Sequence, residues 1–205
     1  MATPTPLPAL PKEEVLAMRE TVLAGMPEED VTALTTLIQQ ASHRIEEQKL
    51  HENFFQKLAN PDSPLWQTFA QSGDLACGLE YRGSDAEKER IMQEENLTEE
   101  AFLEKYGTTQ IVYNPYSAED FAQMLLARRE TVRNEALRQD LQNAVDKVRL
   151  AAQNHDVHDV IAMYNILHDL DYFLLNYRLD TEGEWIADKS TVGQYFGTLA
   201  VYGDA

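Results

Sequence analysis

The chain has 205 residues, 43% of them hydrophobic and 25% charged, the make-up of a folded globular protein with a sizeable core rather than of a disordered chain. Lys and Arg number 17 against 35 Asp and Glu, a formal charge of −18; such a surface repels phosphate backbones and anionic headgroups, so neither nucleic acid nor membrane is an expected partner. A lone cysteine, Cys77, leaves no intramolecular disulfide and no Cys-x-x-Cys metal knuckle.

The first eleven residues carry Pro4, Pro6, Pro8 and Pro11, which favour an extended polyproline conformation and read as a flexible arm over 1–11. This stretch lacks the basic and apolar regions of a secretory signal, and no later stretch is apolar for long enough to span a bilayer. The expected location is the cytoplasm. Residues 12–205 read as a single, mainly helical domain.

Val15, Met18 and Val22 keep a three-four spacing that predicts a short amphipathic helix, with Gly25 placed to cap it in the left-handed conformation. Pro27, Glu28, Glu29 and Asp30 restart a helix predicted over about 28–59, since proline suits the first turn and acids complement its exposed amides. Val31, Leu34, Ile38, Ala41, Ile45, Gln48, Glu52 and Phe55 form its stripe, the pattern of a bundle or short coiled coil. Its polar members Gln48 and Glu52 belong at a wet end of the bundle, and His43 and His51 beside the stripe read as surface residues.

From 60 to 116 the pattern breaks at Asn60-Pro61, Gly73, Gly78, Gly83, Gly107 and Asn114-Pro115, all turn or stop signals. This irregular insert holds short helices opened by Ser63-Pro64, by Ser84 with Glu87, and by Thr98 with Glu99 and Glu100. Thr109 to Tyr113 is β-branched and aromatic and predicts a strand. A strand needs a partner, and the one other candidate is Leu75 to Tyr81, giving a small two-stranded ribbon.

Ser117 with Asp120 opens a long helical segment predicted over 117–153. Its apolar stripe jumps: Phe121, Leu125 and Val132 share one face with Arg128, whereas Leu137, Leu141, Ala144 and Val148 share a face roughly opposite. Either the helix kinks between Arg133 and Ala136, or it stays straight and serves two packing partners. Its six basic residues are matched by six acids, which reads as a salt-bridged, solvated face.

A third long helix, over 156–179, concentrates the residues able to do chemistry. Val157, Ile161, Tyr164, His168, Asp171, Leu175 and Arg178 fall on or beside one seam, flanked by Val160, Leu167 and Leu174. His168 and Asp171 are neighbours three apart, and a carboxylate there needs a partner. An imidazole oriented by a carboxylate can serve as a general base, so His168 and Asp171, with Tyr164 and Arg178, are the candidate catalytic residues. The competing reading is a satisfied polar cluster that fixes helix register.

His155, His158 and Asp159 are the candidate metal ligands, because His155 and Asp159 have the four-residue spacing of helical ligand pairs. On a regular helix His158 sits on the polar side with Asn165, Asp169 and Asn176, and His168 on another face, so the three histidines cannot converge. The His-Asp dipeptides at 155–156 and 168–169 are the pairing used by metal phosphohydrolases of the HD class, whose further ligands have no identifiable counterpart here. Glycine-rich phosphate-binding motifs are absent. At the end, Ser190 opens either a helix with Val192, Tyr195, Phe196, Leu199 and Tyr202 on one face, or two short strands around Gly197.

The expected architecture is an antiparallel bundle of two or three long helices with the irregular insert across one end. The expected function is a non-enzymatic protein-protein interaction or scaffold module that self-associates through its long helices and carries no cofactor. The alternative is an acid/base or metal-dependent, hydrolase-like enzyme using the His-Asp pair.

Overall fold

A computed structural model describes residues 12–52 and 54–176, with the side chains of 12–15, 43–52, Tyr172 and Asn176 outside that description. The proline-rich arm, Arg178, the segment 190–202, and the side chains of His43, Gln48, His51 and Glu52 therefore lie outside the described residues. The fold is mainly α, with helices packed as a bundle and one small antiparallel sheet.

The helix α1 (Lys12–Leu23) ends at Gly25, whose φ of +74° requires the left-handed region glycine adopts without strain. A Cβ there would also run into the Arg133 guanidinium. The acidic first turn of α2 (Glu28–Glu52) follows Pro27 as expected, and α3 (Phe54–Leu58) continues it after Asn53. Helix therefore covers the predicted span from Glu28 to Leu58 on both sides of residue 53, which lies outside the described residues.

The insert starts with a 3-10 turn, Pro64–Trp66, and α4 (Gln67–Ala70), opened by Ser63, whose Oγ accepts from the Leu65 amide at 3.4 Å. Strand β1 (Gly73–Glu80) precedes α5 (Asp85–Glu95) and α6 (Glu99–Tyr106), capped by Ser84 and Thr98. Strand β2 (Thr108–Asn114) then pairs antiparallel with β1, Leu75 against Val112 and Ala76 against Ile111, so the predicted ribbon is present.

The segment predicted as one helix over 117–153 is two. Helix α7 (Ala118–Thr131) begins with the reciprocal Ser117/Asp120 capping box, and α8 (Glu135–Asn154) begins afresh at Asn134. Val132 is extended, with ψ of 134°, and Asn134 Oδ1 accepts from the Leu137 amide at 2.9 Å, so the chain stops and is recapped rather than kinking. The jump in the apolar stripe is the trace of that break: each helix buries its own face.

Helix α9 (Val157–Asp171) passes directly into a π-helical turn, Tyr172–Asn176, so the predicted 156–179 is helical as far as the described residues extend. Arg19 Nε donates to the Phe173 carbonyl at 2.9 Å, which ties α1 to this turn. Helices α7, α8 and α9 pack as successive hairpins, with α2 against α7 and α9. Leu34, Ile38, Leu125, Leu137, Leu141 and Leu167 are fully enclosed between them.

Candidate functional site

On α9 the buried face runs through Val160, Met163, Tyr164, Leu167 and Leu170. The predicted seam divides: Tyr164 and Leu175 are buried, whereas Val157, Ile161, His168 and Asp171 lie at the rim, half-buried. The Tyr164 and His168 rings lie 6.0 Å apart and tilted, and Tyr164 also faces Phe55 at 6.0 Å. Asp169, which the wheel assigns to the polar side, is 5% exposed. The bundle packs against a wider arc of α9 than its own apolar pattern indicates.

The candidate metal ligands do not share a helical face. His155 stands before α9, at the C-cap of α8 with φ of +52°, so the i,i+4 spacing to Asp159 is not a helical one. Its ring stacks on Trp66, centroids 5.0 Å apart and 6° from parallel, and its Nδ1 lies 2.8 Å from the Pro61 carbonyl. Asp159 takes a bond of 2.7 Å from Lys147 Nζ, while His158 is exposed. Among the described residues no three His, Cys, Asp or Glu side chains converge as a metal group. Cys77 is buried in β1.

The ribbon presents a second kind of site. Leu75 and Cys77 point inward, and strict alternation would carry Leu79 inward too. A bulge between Ala76 and Leu79, accommodated by Gly78 at φ +95°, inserts one residue and reverses the phase. Leu79 then pairs with Thr109 on the outer face. That face carries Leu79, Ile111 and Tyr113 at 43%, 55% and 66% exposure. Among the described residues β2 has a strand neighbour on one side only, and its sequence TTQIVYN has no charge.

Between the ribbon's inner end and the bundle lies a cleft of about 290 Å³. Leu37, Phe54, Phe69, Phe121, Val148 and Met163 supply its apolar wall. Gln40, Thr68, Asn114 and Ser117 supply polar atoms, with Tyr116 among its lining. No carboxylate, imidazole, thiol, amine or guanidinium lines it among the described residues, so it offers a place to bind and no acid/base pair. A shallower groove beside it in sequence runs past Pro61, Trp66 and His155. Tyr164, His168 and Asp171 line neither.

No family model, curated protein or solved structure matches this chain. What the site does must come from its own residues.

The cleft and the outer ribbon face escape a reading of the sequence for chemistry, because the cleft lining holds no charged group among the described residues and the ribbon face, with Asp74 opposite Tyr113, shows no catalytic pattern. Asn114-Pro115 reads only as a stop, although the same asparagine anchors the cleft wall: its Nδ2 donates to the carbonyls of Thr68 and Gln71. The outer face leaves a fainter signal, the alternation of Ile111 and Tyr113 with Gln110, Val112 and Asn114.

Proposed function

We propose that the protein is a non-enzymatic interaction module that self-associates, and that its contact is β2 rather than the long helices. The stripes of α7, α8 and α9 are consumed within the bundle, where Leu125, Leu137, Leu141, Ala144 and Leu167 are fully buried. The observation that carries the reading is the outer ribbon face, onto which the Gly78 bulge turns Leu79 beside Ile111 and Tyr113. Exposed strand edges in monomers are normally guarded by charge, proline or cover; β2 has none of the charges.

The occupant that fits is a second copy. Antiparallel pairing of β2 with itself about Ile111 sets Ile111 against Ile111, Val112 against Gln110 and Tyr113 against Thr109, aromatic and β-branched pairs that stabilise a sheet. The result is a four-stranded sheet with two-fold symmetry, an isologous contact. A charge of −18 on each protomer opposes association at long range, so salt strengthens the dimer by screening that repulsion.

Sedimentation equilibrium over a range of protein and salt concentrations tests this. The dimer fraction is expected to rise with both, and Ile111→Lys with Tyr113→Lys to return a folded monomer. A strict monomer at all conditions, or a dimer indifferent to both substitutions, would overturn the reading.

A further inference from the structure

The cleft combines features that select a ligand. Its described lining has no charge in a protein that is one quarter charged, so an ionic ligand would lose its hydration there without gaining a partner. Phe54 and Phe69 stand with ring planes 21° apart and centroids at 6.4 Å, and Phe121 and Met163 complete an aromatic and thioether wall suited to a flat ring. A volume of about 290 Å³ is at the small end of ligand sites.

One enclosed side-chain amide gives direction, while Gln40 and Tyr116, which also line the cleft, are exposed. Asn114 is 2% exposed, and the two carbonyls it meets fix its amide orientation: Nδ2 donates to Thr68 O and to Gln71 O, the latter at 2.7 Å. Its Oδ1 accepts no hydrogen bond from the described residues and belongs to a side chain lining the cleft. An amide oxygen on a largely apolar wall can accept from a ligand's donor. The neighbouring hydroxyls are committed elsewhere: Thr68 Oγ1 donates to Leu65 O at 2.6 Å and Ser117 Oγ to Asp120 Oδ2 at 2.7 Å.

We infer that the cleft binds a small, neutral, aromatic molecule bearing one hydrogen-bond donor, which Asn114 Oδ1 accepts. The inference is independent of self-association, since β2 contributes only its last residue to this wall.

Indole is the probe, titrated into the full-length protein by calorimetry and by amide NMR. Saturable binding is expected, with Kd between roughly 10 µM and 1 mM for so small a ligand, and with shifts concentrated on the Asn114 side-chain amide and the residues around Phe69 and Met163. The 1-methyl derivative, which lacks the donor, is expected to bind about 3- to 10-fold more weakly, and the anion indole-3-acetate more weakly still. Ala41→Phe, on the cleft wall, is expected to abolish binding while circular dichroism stays that of the wild type. If Ala41→Phe fails to fold, the wild-type shift map decides alone. Absence of saturable binding, shifts mapping away from the cleft, or equal affinity for indole and its methylated or anionic derivatives would overturn the inference.

Discussion

Asn134 does at one position what the apolar stripe announces over thirty. Its side chain takes the Leu137 amide at 2.9 Å, one of the amides a new helix leaves without an internal partner. Asn134→Ala is expected to destabilise the protein by about 0.5–2 kcal/mol, and Asn134→Ser or Asn134→Asp to recover most of that. Urea unfolding followed by circular dichroism measures it; an unchanged midpoint would mean that packing alone starts α8. The sequence placed the discontinuity to within a few residues, because a reversal of apolar face is a long-range signal. It offered a kink or a straight helix and missed the stop, because a single asparagine in a polar stretch carries no weight until its φ and ψ are known. His155 was further from reach: a histidine at φ +52° looks in sequence like the first turn of α9, and its stacking on Trp66, 89 positions earlier, is a tertiary fact. Asp169 fails for the same reason, since its burial is decided by what packs on α9.

At the scale of elements, the α7–α8 hairpin is stapled where its far ends meet. Arg149 donates to both oxygens of Glu119, at 2.6 and 2.9 Å, and Gln123 Nε2 adds a third bond at 2.6 Å. The Arg149 bonds first, and then that of Gln123, hold the Glu119 carboxyl down to about 2. A folded pKa below the unfolded value means stability that is fully present above the ordinary carboxylate range and lost as pH falls toward about 2. Glu119→Gln is therefore expected to lower the urea midpoint at neutral pH and to leave it unchanged near pH 2. A penalty that persists at pH 2 would assign the effect to packing. The ribbon was legible from β-branched and aromatic content, as were the caps at Ser84, Thr98 and Ser117. The bulge was not, because Gly78 signals a turn and a bulge equally and only pairing with β2 distinguishes them.

For the whole molecule, the excess of 35 acids over 17 bases acts in opposite directions in different places. Across the surface it is self-repulsion, which salt screens. In α5 the local balance differs: none of its residues is buried, and its ties to α6 are polar. Lys88 bonds Glu99 at 2.5 Å, and Lys105 bonds Glu95 at 2.7 Å with Tyr106 alongside. The Lys105 and Tyr106 bonds lower the Glu95 pKa, and the Glu95 bond raises that of Lys105, so both groups stay ionised at neutral pH and the attraction is one that salt weakens. Helix α8, by contrast, is anchored by Leu137, Leu141, Ala144, Val145 and Val148, whose burial salt does not screen. Raising salt from about 0.01 M to 1 M shortens the screening length from roughly 30 Å to 3 Å. The amides of α8, which exchange through global unfolding, are then expected to become better protected. Those of α5, which open locally, are expected to exchange faster. Hydrogen exchange resolved by NMR at the two salt concentrations reads both at once. If the two helices move together, the acid acts through one uniform field; if they diverge, the bundle tolerates the charge and the α5–α6 layer depends on it.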